Sequence, residues 1–234
     1  MSFRNGLDDS NSFDGARVPS SSLFRRMARS FLVAAALLAP LAPRVASADP
    51  AGAQGFVQST QAKLAGLVKQ GPSANGQVSQ TMDAMVDYEL LAQRTFGNPC
   101  AKGVSTCVNH WNELTPPQRA EVTALLKKLV VKNYQKNLQR TLDYDVTYKS
   151  SQEQGKDVRV RTSNKSRTKA REAPYTIDYV VIEGAGGSYR VVDIVTEGSS
   201  LVKNYYEQFH KMLGTPGQGY PYIATKLNEK LAKP

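Results

Sequence analysis

The 234-residue sequence is short of several things at once. It holds two cysteines, two histidines and one tryptophan. So few thiol and imidazole ligands leave little material for a zinc centre. No H-E-x-x-H, no G-x-S-x-G and no glycine-rich phosphate loop occurs either. Its longest apolar run falls well below the ~20 residues a membrane-spanning helix needs. Acidic residues are in deficit, 20 against 30 Lys and Arg, which gives a net charge of +10. The apolar share of 41% is ordinary for a globular chain, so disorder and collagen-like repeats are excluded. What remains to be explained is the positive charge. It suits nucleic acid, an anionic membrane or an acidic partner.

The amino terminus bears on the compartment. Arg25, Arg26 and Arg29 precede an apolar run from Phe31 to Ala39, and Ala46-Ser47-Ala48 follows. A basic start, a short apolar centre and small residues at the end make a secretory signal. Residues 1–48 are therefore expected to be an amino-terminal extension and signal peptide, and 49–234 a single domain. The polar stretch ahead of Met27 is long for a signal, which makes Met27 a candidate start. Residues 49–234 carry 24 basic and 17 acidic side chains, a net +7. In an oxidising compartment Cys100 and Cys107 read as a structural disulfide. A redox pair is the alternative, although its usual C-x-x-C spacing is tighter.

Helical periodicity marks the first half. Phe56, Leu64, Leu67 and Val68 share one helix, which Gly71-Pro72 ends, and Val78, Met82, Met85, Val86 and Leu90 predict a second. Thr115-Pro116-Pro117-Gln118 is a capping-box start. The helix it opens, to about Thr141, places Val122, Leu126, Val130 and Tyr134 on one stripe. Lys128, Lys132, Lys136 and Arg140 fall on the opposite side, expected to face water. From Tyr144 the period drops to two. Four strands are predicted around Tyr144–Tyr148, Val158–Thr162, Ile177–Val181 and Tyr189–Thr196, joined by short connections in an antiparallel meander. A closing helix carries Leu201, Tyr205, Phe209 and Leu213 at i+4 spacing, and a short last helix spans about Tyr222 to Leu231. The fold class is α+β: helices packed on a curved four-stranded antiparallel sheet enclosing an apolar cavity.

Candidate chemistry is sparse. His110 and His210 stand a hundred residues apart with no nucleophile beside either, and read as surface residues. Asp178 and Asp193 lie within strands, where aspartate is depleted. Either could act as a general base if desolvated, or could bond a neighbouring backbone group. Between Lys156 and Arg171 seven basic residues face one acid. That window suits anionic headgroups or an acidic protein face, or a solvated hairpin edge protected from aggregation by its charge. It lacks the interleaved aromatics of a nucleic-acid surface, and nucleic acid is a poor partner for an exported chain.

The closing strand and helix carry a family resemblance. Val191, Asp193, Glu197-Gly198, Ser200-Leu201-Val202, Asn204-Tyr205 and Gln208-Phe209 follow the signature of the MlaC-type phospholipid-binding family, also called the toluene-tolerance auxiliary family. Tyr88-Glu89-Leu90-Leu91, Trp111 and Leu114 to Arg119 resemble it upstream, and Gly219, Tyr222-Ile223 and Leu227 downstream. Three features depart from the pattern: Tyr189 replaces Trp, Tyr206 replaces Arg, and the Cys100–Cys107 loop is inserted. The resemblance implies a periplasmic phospholipid carrier that is not an enzyme and needs no cofactor. It would serve an inner-membrane ABC transporter complex and an outer-membrane lipoprotein complex. Met85, Leu126, Val130, Val146, Val160, Ile177, Tyr179, Val181 and Leu201 are the expected lipid-binding positions. Arg159, Arg161, Arg167 and Arg171 are the expected partner-docking positions. A carrier of hopanoid or another polycyclic lipid, and an enzyme using Asp193 or Asp178 as base, are the alternatives.

Overall fold

The computed structural model describes residues 49–233 apart from 102, 105 and 170. The signal-peptide expectation falls on residues outside that range. Helix α1 (Pro50–Lys69) starts on Asp49, whose carboxylate accepts the N–H groups of Ala51 and Gly52 at 3.2 and 2.7 Å. Its buried face presents Val57, Leu64, Leu67 and Val68. The single helix predicted through Val78 and Leu90 is instead two, α2 (Asn75–Met85) and α3 (Tyr88–Thr95). Between them Val86 is extended and pairs with Val191, and the Asp87 N–H donates to the Val191 carbonyl at 3.0 Å. The Asp87 side chain then accepts the Leu90 N–H at 2.8 Å, capping α3. A sheet contact and a cap together outweigh helix continuity at this point.

Helix α4 (Pro116–Thr141) opens on the expected capping box. The Thr115 N–H donates to Gln118 Oε1 at 2.9 Å and the Gln118 N–H returns to Thr115 Oγ1 at 3.5 Å. Strands β1 (Tyr144–Gln154), β2 (Asp157–Ser166), β3 (Tyr175–Glu183) and β4 (Tyr189–Thr196) form an antiparallel meander. A fifth strand, β5 (Ser199–Ser200), corrects the predicted count of four. Glu197 and Gly198 hold φ of 48° and 80°, and this tight reversal lays Ser199-Ser200 back along β4. Helices α5 (Leu201–Gly214) and α6 (Gly219–Ala232) follow.

The sheet separates two apolar clusters. On the inner face Val158, Val160, Tyr179, Val181 and Val191 join Leu64 of α1, Met82 of α2 and Leu126 of α4 in the main core. Burying each such aliphatic side chain is worth roughly 1.5–3 kcal/mol. On the outer face Val180, Val192 and Val195 form a small second cluster with Leu90 of α3 and Ile182. Helix α5 wedges between these environments. Its core face is Val202, Tyr206 and Phe209, so the Leu201–Tyr205 side of the predicted stripe is left for another purpose. Nor is the lysine face of α4 wholly solvated. Lys132 Nζ donates to the carbonyls of Leu231, at 2.7 Å, and Lys233, closing the carboxyl end of α6.

Candidate functional site

A cleft of about 770 Å³ lies between α2, α4, α5 and α6 on one side and the inner face of β3 and β4 on the other. Its walls change character along their length. Met82, Met85, Val86, Val130 and Val191 form an apolar end, all of them buried. One turn beyond Val130 on α4 come Asn133 and Tyr134, and a turn further Asn137. Along β3 the same progression runs from Tyr179 through Ile177 to Tyr175. Asn204, Gln208 and Lys230 supply polar groups from α5 and α6. The cleft opens to solvent, which corrects the expectation of an enclosed apolar cavity: its lining includes amides and an ammonium that need water or a ligand.

Met85, Val130, Ile177, Tyr179 and Leu201, predicted as lining, line this cleft. Leu126, Val160 and Val181 lie on the same side but are fully buried, and fill the core beyond its closed end. Val146 shares a face with Tyr148 and pairs in register with Asn164, yet is 47% exposed near the start of β1. Sequence reasoning did not select Tyr134 or Tyr205 for the lining. Each lies four residues beyond a chosen position, Val130 and Leu201, so the helical stripe itself carried the signal.

Tyrosine is the dominant polar side chain in the cleft. Tyr179 is only 8% exposed, and desolvation pushes its hydroxyl pKa far up, with Tyr134, Tyr148 and Tyr175 adding to the effect. Burial likewise raises Tyr134 and Tyr205. All stay protonated at any physiological pH and act as neutral donors. Lys230 Nζ sits 4.8 Å above the Tyr205 ring and 3.1 Å from Gln208 Oε1. Its pKa is lowered by desolvation and by Lys233.

The two strand aspartates do not line the cleft. Asp178, 3% exposed, accepts from Arg161 Nε and Nη2 at 2.9 and 2.8 Å, and Arg159 Nη1 lies 3.5 Å away. Asp193 accepts from the Ile194 N–H (2.8 Å), the Ser200 hydroxyl (2.6 Å) and the Val202 N–H (3.0 Å). Desolvation raises its pKa while these bonds oppose the rise. It ties β4 to the start of α5, a structural task. The basic window is also partly spent: Arg167 Nε is 2.6 Å from Asp145, and Lys169 pairs with Glu172 at 2.8 Å. Arg171 is exposed in the turn between β2 and β3.

The histidines, read as unrelated surface residues, meet. His110 Nε2 and His210 Nδ1 are 2.8 Å apart, and His110 Nδ1 is 3.1 Å from Glu113 Oε2. The loop after α3 folds back onto α5, with the His110 N–H on the Phe96 carbonyl at 2.8 Å, and so erases a separation of a hundred residues. The same loop holds the Cys100–Cys107 disulfide, with Cα atoms 5.9 Å apart. Tyr206 is 2% exposed, and its hydroxyl accepts the Val108 N–H at 2.8 Å.

A model of the MlaC protein family matches residues 54–229. The chain belongs to the MlaC family. The match spans the sheet, the disulfide loop and every cleft residue except Lys230. A phospholipid-binding protein from Ralstonia solanacearum, solved in complex with a phospholipid, shares the fold. Its TM-score to this MlaC-family chain is 0.61 at 23% identity, over 77% of this chain and 97% of that one. None of the curated proteins matches the sequence. Among the described residues no helix is long and apolar enough to cross a membrane.

Proposed function

We propose that this chain is a periplasmic carrier that holds phospholipid in the cleft and passes it between membranes. The observation that carries the reading is the grading of the cleft, from buried aliphatic side chains through tyrosines to amides and Lys230. An amphipathic ligand has that same order of groups. The volume, about 770 Å³, lies within the roughly 300–1,000 Å³ of ligand pockets. Unassisted transfer through water exposes dozens of methylenes at ~0.8 kcal/mol each, a cost that a carrier removes. Membership of the MlaC family and the phospholipid in the Ralstonia solanacearum relative support the same assignment.

The partners in this proposal are an inner-membrane ABC transporter complex and an outer-membrane lipoprotein complex. The docking face is β2 and the turn after it. Arg161 and Arg167 keep 49% and 58% of their side chains exposed despite their ion pairs. The deciding experiment is mass spectrometry of lipid extracted from protein purified without detergent. Stoichiometric phospholipid is the expected result. A polycyclic lipid redirects the assignment to a different cargo, and an empty protein that takes up no phospholipid from vesicles defeats it. For docking, Arg167→Glu with Arg171→Glu should weaken partner binding and its salt dependence while leaving lipid retention unchanged.

A further inference from the structure

Two of the cleft's polar groups are placed for a more specific task. The other buried polar side chains on this face of the sheet have partners within it. Thr162 donates to the Ile177 carbonyl at 2.9 Å, and Asn164 donates to Thr162 Oγ1 at 3.1 Å and the Tyr175 carbonyl at 3.3 Å. Tyr134 and Tyr179 line the cleft, no hydrogen bond joins either hydroxyl to another of the described residues, and neither hydroxyl is among the polar atoms sealed from solvent without a partner, so both are open to a ligand. They come from opposite walls, α4 and β3, and Tyr134 lies close enough to Tyr179 to help raise the Tyr179 pKa. Their depth is intermediate. Val130 and Val181 lie on the apolar side of them, and Asn137 and Tyr175 lie toward the opening.

We propose that Tyr134 and Tyr179 donate hydrogen bonds to the ester carbonyls joining acyl chains to glycerol, so that the cleft selects ester-linked over ether-linked lipid. The inference rests on the carrier reading and sharpens it. A lipid lying along the cleft puts its hydrocarbon at the apolar end and its headgroup near Lys230, which leaves its ester region level with the two phenols. An ester carbonyl is a strong acceptor with two lone pairs, whereas an ether oxygen in the same place is a poor one. A site built to bond a polar group rejects the analogue lacking it, because its own buried groups are then left unpaired. Desolvation, which keeps both phenols protonated, preserves them as donors.

The test is binding of delipidated protein to two lipids with the same phosphoglycerol headgroup and chain length, one diacyl and one dialkyl ether. The wild-type chain should prefer the diester by about tenfold in Kd, the worth of one to two neutral hydrogen bonds. Tyr134→Phe with Tyr179→Phe should bring the ratio to about one, mainly by weakening the diester. Equal binding of both lipids by the wild type overturns this inference and leaves the carrier reading standing. Binding of neither overturns the carrier reading itself. A preference that survives the double substitution removes the two tyrosines from the role. Circular dichroism checks the fold of the double variant, and Tyr134→Phe alone, at a half-buried helix position, carries the test if it does not fold.

Discussion

The outer face of the sheet and the cleft beside its inner face handle polar groups differently. On the outer face Asp178 holds two arginines, Asp157 holds Arg94 in a two-pronged pair at 2.8 and 2.9 Å, and Asp193 accepts three hydrogen bonds. On the inner side Thr162 and Asn164 are bonded within the sheet, whereas Tyr179 of β3 and Tyr134 of the facing α4 leave their hydroxyls to the cleft. Most polar groups of the outer face therefore serve the structure, with Arg94 Nε and Arg159 Nε buried and unpartnered beside their ion pairs, whereas the cleft phenols are open to a ligand.

Asp193→Ala should give the largest effect on this contrast. Three bonds vanish and the start of α5 loses its tie to β4, a loss of about 2–4 kcal/mol in urea unfolding. Lipid bound per folded molecule should stay the same; a selective loss of loading would break the division between the faces. Next come two substitutions on β3, two residues apart. Val181 is fully buried, so Val181→Trp overfills the core and should cost about 1–3 kcal/mol or more. Ile177 lines the cleft, so Ile177→Trp should lower lipid occupancy with a smaller change in Tm. Equal behaviour of the two would mean that the closed end is misplaced.

Tyr206→Phe removes the acceptor for the Val108 N–H and should cost about 1 kcal/mol by the same unfolding measurement, with lipid loading unchanged. The smallest effect is a pH slope. The folded Asp193 carboxyl titrates above its ordinary 3.8, so the folded state binds that proton more tightly than the unfolded chain does. Its contribution to stability is greatest below 3.8 and declines as pH rises through the raised value. Asp193→Asn should flatten that decline, read as the urea midpoint against pH; an unchanged slope would assign it to another group.

Much of this was legible in the sequence. Period four and a capping box gave α4, period two gave the four long strands, and the i+4 repeat from Leu201 gave α5. The break at Val86-Asp87 was not legible, because its cause is a backbone pairing with Val191, more than a hundred residues away. For the site, periodicity named a face but not a depth. Val181 and Ile177 share a face of β3, and only the packing of helices above them makes one core and the other wall. The two histidines were beyond local reasoning for the same reason: their meeting depends on how a loop returns.

The loop that brings them together has a further implication. Gly97 holds φ of 82°, and a Cβ there would come within 2.3 Å of the Val108 carbonyl and about 3 Å of the Tyr206 ring. Tyr206 in turn hydrogen-bonds Val108. The disulfide loop and Tyr206 on α5 are thus a single interlocking piece. Anyone transplanting this loop onto a relative would have to move Tyr206 with it. An arginine in place of Tyr206 would bring a charge into a site that is 2% exposed. The loop is a module with two addresses in the sequence.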